Sequence, residues 1–152
     1  MRRDVSVVTL LASNVQDRHH DYVNDHLEVR LEAPEFAVER EPIRYAVVVE
    51  NSGDAPLDLH LQGREILFDL AVIGEGGGLV WRRLHDSAAQ AILRLETLDP
   101  GETIRLEDSW DQRGSDGQFV EPGFYTLQAT LPTDGAALLT QDRLLQITGR
   151  ER

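Results

Sequence analysis

The 152-residue chain contains no cysteine and no lysine. Without cysteine there is no disulfide, no thiolate nucleophile and no cysteine-ligated zinc. A fold of this size must then be held by its apolar core alone, which fits a cytoplasmic setting. All 15 positive residues are arginine, against 27 Asp and Glu, so the net charge is −12 and the pI about 4.7. Nucleic acid and anionic membranes are bound through basic patches, so neither is an expected partner. Long apolar runs are also missing. None approaches the ~20 residues of a membrane-spanning helix. The glycines of Gly74-Glu75-Gly76-Gly77-Gly78 are not joined by the lysine of a phosphate-binding loop. Internal repeats and low-complexity tracts are absent.

What remains is 41% hydrophobic, too apolar for a disordered chain, and long enough for one domain with a sizeable core. The pattern is that of strands. Leu27, Val29 and Leu31 alternate with Glu28, Arg30 and Glu32. The β-branched run Ile43–Glu50 ends in the turn cluster Asn51-Ser52-Gly53-Asp54. Further runs are Leu57–Leu61, Ile66–Ile73, Leu79–Arg82, Ala91–Leu98, Thr103–Trp110, Phe124–Leu131 and Ala137–Ile147. Only Ser87–Leu95 also suits a single helical turn. In Asp99-Pro100-Gly101-Glu102, proline presets φ and glycine supplies the positive φ of a tight turn. Turns recur every 8–12 residues or so, the spacing of a β-sandwich. Tyr125, just after Pro122-Gly123, has the placement of a tyrosine corner, whose hydroxyl bonds backbone a few residues upstream. The expected fold is an all-β, immunoglobulin-like Greek-key sandwich of about seven to nine antiparallel strands over residues 26–149. Leu27, Val29, Leu31, Tyr45, Val47, Val49, Phe68, Leu70, Val72, Leu127 and Ala129 are expected to face inward.

Residues 1–25 read as an arm and linker, and 150–152 as a tail. The apolar run Val5–Ala12 follows Arg2, Arg3 and Asp4. Asp4 and the lack of a small-x-small cleavage pattern argue against a signal peptide, although export stays open. A strand that pairs with a sheet edge, in this chain or a second copy, suits the run better.

No catalytic constellation emerges. There is no G-x-S-x-G elbow, and His85 and Ser87 fit no triad pattern. His19 and His20 would point to opposite faces of a strand, which disfavours one shared metal beside Asp21. Asp108, Asp111 and Asp116 lie near Gly114 and Gly117 without the calcium-loop spacing. The expectation is therefore no catalytic residue, no metal and no cofactor.

The ordered set Phe68-Asp69, Val80-Trp81-Arg82, Pro100-Gly101-Glu102, Trp110-Asp111-Gln112 and Pro122-Gly123-Phe124-Tyr125 resembles the bacterial intracellular proteinase inhibitor (BsuPI) family, over about residues 26–132. Asn51 after a valine-rich strand fits the same pattern. The resemblance implies a non-enzymatic protein-binding sandwich whose partner is an intracellular, subtilisin-like serine protease. The motif residues, including Asp111, Trp110 and Trp81, are expected to build the scaffold. The expected contact segment is Arg82-Arg83-Leu84-His85-Asp86, with the Gly74–Gly78 hairpin second. The family usually places a serine soon after the first tryptophan and then an aromatic residue. Here the segment is Trp81-Arg82-Arg83-Leu84-His85-Asp86-Ser87-Ala88-Ala89-Gln90, with no aromatic following. The rival reading for Arg82 and Arg83 is a solvated charged edge. The alternative function is an assembly module that uses a sheet edge or Val5–Ala12 for self-association.

Overall fold

The computed structural model describes residues 26–84 and 93–151. Val5–Ala12, His19–Asp21 and the segment from His85 to Ser87 lie outside them. Eleven strands run through the described residues: β1 (Leu27–Glu32), β2 (Phe36–Val38), β3 (Ile43–Asn51), β4 (Leu57–Gln62), β5 (Asp69–Ile73), β6 (Leu79–Arg82), β7 (Leu93–Leu98), β8 (Thr103–Trp110), β9 (Gly123–Leu131), β10 (Leu138–Leu139) and β11 (Arg143–Thr148).

One sheet has the order β1-β3-β8 and the other β2-β11-β9-β5-β6, with β10 added to β9. β4 and β7 form a separate antiparallel pair. The two larger sheets share one core, because the inward residues of each alternate position meet those of the other. Leu27, Val29, Leu31, Tyr45, Val47 and Val49 come from the first sheet, and Leu70, Val72, Leu127, Ala129 and Leu145 from the second. All eleven residues expected to face inward are buried. The result is an all-β, immunoglobulin-like sandwich, in which the chain crosses between sheets from β3 to β5 and again from β8 to β9.

The strand number and one pairing differ from expectation. The chain leaves the first sheet after β1, turns through Ala33-Pro34-Glu35, and joins the second as β2, parallel to β11. Proline cannot donate to a ladder, so the crossover falls where a strand must break. The Gln146 amide then donates to the Glu35 carbonyl at 2.9 Å, which seats the crossover. Ile66–Phe68 lie outside β5. The Leu67 amide turns back to the Gln62 carbonyl at 2.9 Å, so this stretch closes a turn rather than extending the strand. The expected final run is divided into β10 and β11 by Thr140-Gln141-Asp142.

The outer face of the first sheet is a ladder of charge. Register places Arg30, Val48 and Arg105 in one row and Glu32, Ala46 and Glu107 in the next. Arg105 holds Glu32 at 2.7 Å and Glu107 at 2.6 Å, while Arg30 holds Glu50 at 3.2 Å. The long side chains cover Ala46 and Val48, which are buried although they face outward. The Arg105 hydrogen bond holds the Glu32 carboxyl below its usual value. Partial burial opposes this, and the charges of Arg105 and Arg30 reinforce it. A carboxyl depressed in the folded state stabilises the fold above its unfolded pKa, and that contribution disappears as pH falls through the folded value. The urea midpoint is therefore expected to stay level above about pH 5 and to drop below about pH 4. Glu32→Gln should flatten that acid slope, with a change at neutral pH of about 1 kcal/mol or less, since the pair is exposed. An unchanged slope in Glu32→Gln would remove Glu32 from the acid transition.

Candidate functional site

Four of the five motif pieces converge where β5 and β6 face the end of β8. Asp69 opens β5 and is 6% exposed. Its Oδ1 accepts from the Leu70 amide at 2.9 Å and the Leu84 amide at 3.0 Å. Its Oδ2 accepts from Arg82 Nε at 2.8 Å and also from Arg82 Nη2. One buried carboxylate thus fixes the start of β5, the end of β6 and the first turn beyond it. A buried charge is tolerated when it is paired and its lone pairs are filled, as here.

Arg83 makes the second tie. Its guanidinium lies 3.8 Å from the centre of the Phe68 ring. Nη1 donates to the Phe68 carbonyl at 2.7 Å and Nε to Asp108 Oδ2 at 2.7 Å. Asp108 belongs to β8, so this arginine bridges the two sheets. Burial raises the Asp108 carboxyl, but the Arg83 hydrogen bond, the Ser109 amide and the Arg83 charge outweigh it and hold it low. Tyr45 sits opposite Asp108 on β3. Burial, and then the charge of Asp108, push its phenol well above the usual range. Its hydroxyl has no hydrogen-bond partner among the described residues.

The aromatic residues pack beside this cluster. Trp110 is 1% exposed, stacks on Trp81 with ring centres 5.7 Å apart, and meets Tyr125 edge-on at 6.4 Å. Its Nε1 donates to the Arg113 carbonyl at 2.9 Å. Trp81 itself is only partly buried. The Tyr125 hydroxyl donates to the Glu121 carbonyl, four residues upstream, as a tyrosine corner does. Pro100 and Gly101 lie apart from these groups, at the β7–β8 turn. Gly101 has φ +81°, and its amide donates to the Asn51 carbonyl at 2.8 Å. The Asn51 side chain is fully buried and reaches the Leu98 and Ala55 carbonyls at 2.9 and 2.8 Å.

The three acidic residues near Gly114 and Gly117 serve separate donors. Asp108 takes Arg83, Asp111 caps the Arg113 amide at 3.1 Å, and Asp116 caps the Gln118 amide at 2.9 Å. No group of three metal-ligating side chains occurs among the described residues. No helix in the described residues is long and apolar enough to cross a membrane.

Gln112 stands in the scaffold motif, but the sequence does not show what it holds. It is fully buried at φ +66°. Nε2 donates to the Val38 and Glu41 carbonyls, each at 2.8 Å, and Oε1 accepts from the Arg40 amide at 3.0 Å. The side chain thereby closes the β2–β3 turn from across the molecule. Its only sequence signal is its place directly after Trp110-Asp111.

The fold and this cluster define an immunoglobulin-like scaffold whose loops are tied down from inside. The chain belongs to the BsuPI intracellular proteinase inhibitor family, whose model matches residues 31–136. No curated protein matches the chain. Among solved structures it is similar to a CARDB domain from Pyrococcus furiosus, solved in complex with di-metal ions, at 16% identity and TM-score 0.42. That match covers 80% of this chain and 87% of the other. It is also similar to the alkylpurine DNA glycosylase AlkC of Pseudomonas fluorescens, at 14% identity and TM-score 0.45, with 80% and 30% covered. A β-glucosidase of Erythrobacter marinus matches at 19% identity and TM-score 0.44, with 80% and 15% covered. The chain thus spans less than a third of the glycosylase and the glucosidase.

Proposed function

We propose that this protein is a non-enzymatic binding domain that inhibits an intracellular, subtilisin-like serine protease. The family match across residues 31–136 carries this reading. The geometry around Asp69 supports it. A loop that blocks a protease must be ordered before it docks, because ordering on binding subtracts from affinity. The segment Arg82–Asp86 begins on three fixed points: the Arg82–Asp69 pair, the Leu84 amide on Asp69, and the Arg83 bridge to Asp108. Arg82 and Arg83 then work as anchors of the segment, and contact falls to Leu84, His85 and Asp86. The Gly74–Gly78 hairpin is the second contact candidate.

Inhibition assays against a panel of purified serine proteases, subtilisin-like enzymes included, test the function. Slow or negligible cleavage of the inhibitor with a saturable loss of protease activity is expected. Leu84→Asp should weaken inhibition by tenfold or more, about 1.4 kcal/mol, while the melting temperature stays put. Arg83→Ala should lower the melting temperature as well, because it breaks the bridge between sheets. A panel with no inhibited member would overturn the reading. Inhibition untouched by Leu84→Asp would move the contact to the Gly74–Gly78 hairpin.

The second reading is an assembly module that works through a sheet edge. Leu93 and Leu95, 51% and 57% exposed on β7, favour it. A mass in solution above that of one chain, together with a silent protease panel, would select it.

A further inference from the structure

The two outer faces of the sandwich differ in kind. The face of β1-β3-β8 carries the charge ladder described above. The face of β2-β11-β9-β5-β6 carries, in register, Phe36, Gln146 and Phe124 in one row and Leu144, Thr126, Ile73 and Leu79 in the next. Neither row contains a charge. Phe36, Leu144, Leu79 and Phe124 are 65%, 60%, 56% and 41% exposed. The following row on this face, Gln128, Ala71 and Arg82, carries a charge and bounds the two apolar rows. Apolar side chains grouped on one face mark a surface that is covered in the working protein. Two adjacent rows without a charge, in a chain of net charge −12, have the composition of the interior of a contact.

We propose that the chain's own Val5–Ala12 run covers this face. From Val5 to Gln16 there is no charged residue, and Val5-Ser6-Val7-Val8-Thr9-Leu10-Leu11-Ala12 is apolar on both sides of an extended strand. The run and the face therefore match in chemistry. Reach also suffices. Residues 13–26 can span about 46 Å when extended, several times the ~10 Å between packed sheets. The run leads into β1, whose far end is tied to β11 in the other sheet: Arg143 Nη1 donates to the Leu31 carbonyl at 2.9 Å. A tethered segment meets the face at an effective concentration in the millimolar range. A second copy would have to bring another 12 net negative charges to within a Debye length of about 8 Å. The tether thus favours the chain's own run over a neighbour's. This inference is independent of protease inhibition.

The absence of cysteine makes the test direct. Val8→Cys in the full chain gives a single site for a nitroxide label. Amide resonances of Phe124, Thr126, Leu144 and Gln146 should lose intensity, while those of Val48 and Arg105 on the opposite sheet keep theirs. The same loss should be missing when labelled chain at natural isotope abundance is mixed with unlabelled 15N chain. Leu144→Asp, at an exposed position, should abolish the loss without moving the melting temperature. Broadening that is equal in the mixed sample would overturn the proposal in favour of a second copy. No broadening on this face, or broadening that survives Leu144→Asp, would overturn it outright.

Discussion

Trp110→Ala is expected to be the most damaging single truncation in the sandwich. The side chain is 1% exposed, closes the end of β8, and stands between Trp81 and Tyr125. Truncating a fully buried aromatic residue costs about 3–5 kcal/mol, part lost transfer energy and part unfilled cavity. Here the Arg113 carbonyl also loses the indole N–H. The whole stability of a domain is only about 5–15 kcal/mol, so the variant should melt on the order of 10–20 °C lower. Trp110→Phe keeps the stacking but drops the indole hydrogen bond, so it should fall between the two. Thermal denaturation followed by circular dichroism measures all three. If Trp110→Ala melted with the parent, the Trp81–Trp110–Tyr125 stack would not hold the sheets together.

Much of this architecture is legible in the sequence because its causes are local. Leu27, Val29 and Leu31 alternate with charged neighbours, so β1 and its inward face follow from the period of a strand. Gly101 and Tyr125 announce a turn and a corner through residues that are adjacent in the chain. Where the cause is a distant partner, the sequence is silent. Phe36–Val38 is a three-residue strand whose pairing comes from β11, more than 100 residues later, and Phe36 itself is exposed. Nothing within Glu35–Glu39 signals it. Arg82 and Arg83 read equally as a solvated edge or as a protease contact. What ties them down, Asp69 on the neighbouring strand and Asp108 on the other sheet, becomes visible only once the sheets are assembled. The two uncharged rows on the outer face are also a product of register. Phe36, Phe124, Leu144 and Leu79 come from four strands, and each alone is an unremarkable surface hydrophobe.

Gln112 shows the same limit and supports the second large prediction. Gln112→Ala is expected to destabilise the sandwich by about 3 kcal/mol. Three backbone groups depend on its amide: the Val38 and Glu41 carbonyls and the Arg40 amide. Leaving a buried polar group unpaired costs about 1–3 kcal/mol, and the groups freed here lie where β2 turns into β3. Water can reach Arg40 and Glu41, which are exposed, and this limits the sum. The backbone adds its own term. Gln112 holds φ +66°, a conformation that costs an L-residue with a Cβ roughly 1–2 kcal/mol and glycine nothing. Alanine at this position keeps that strain and loses the hydrogen bonds that offset it. Gln112→Gly loses the same hydrogen bonds but relieves the strain, so it should be the milder variant by up to ~1 kcal/mol. This order reverses the usual one, in which alanine is tolerated better than glycine. Urea unfolding of the three proteins gives both differences. An alanine variant as stable as the parent would mean that the β2–β3 turn closes without the amide. A glycine variant worse than alanine would mean that position 112 is not held in the left-handed region.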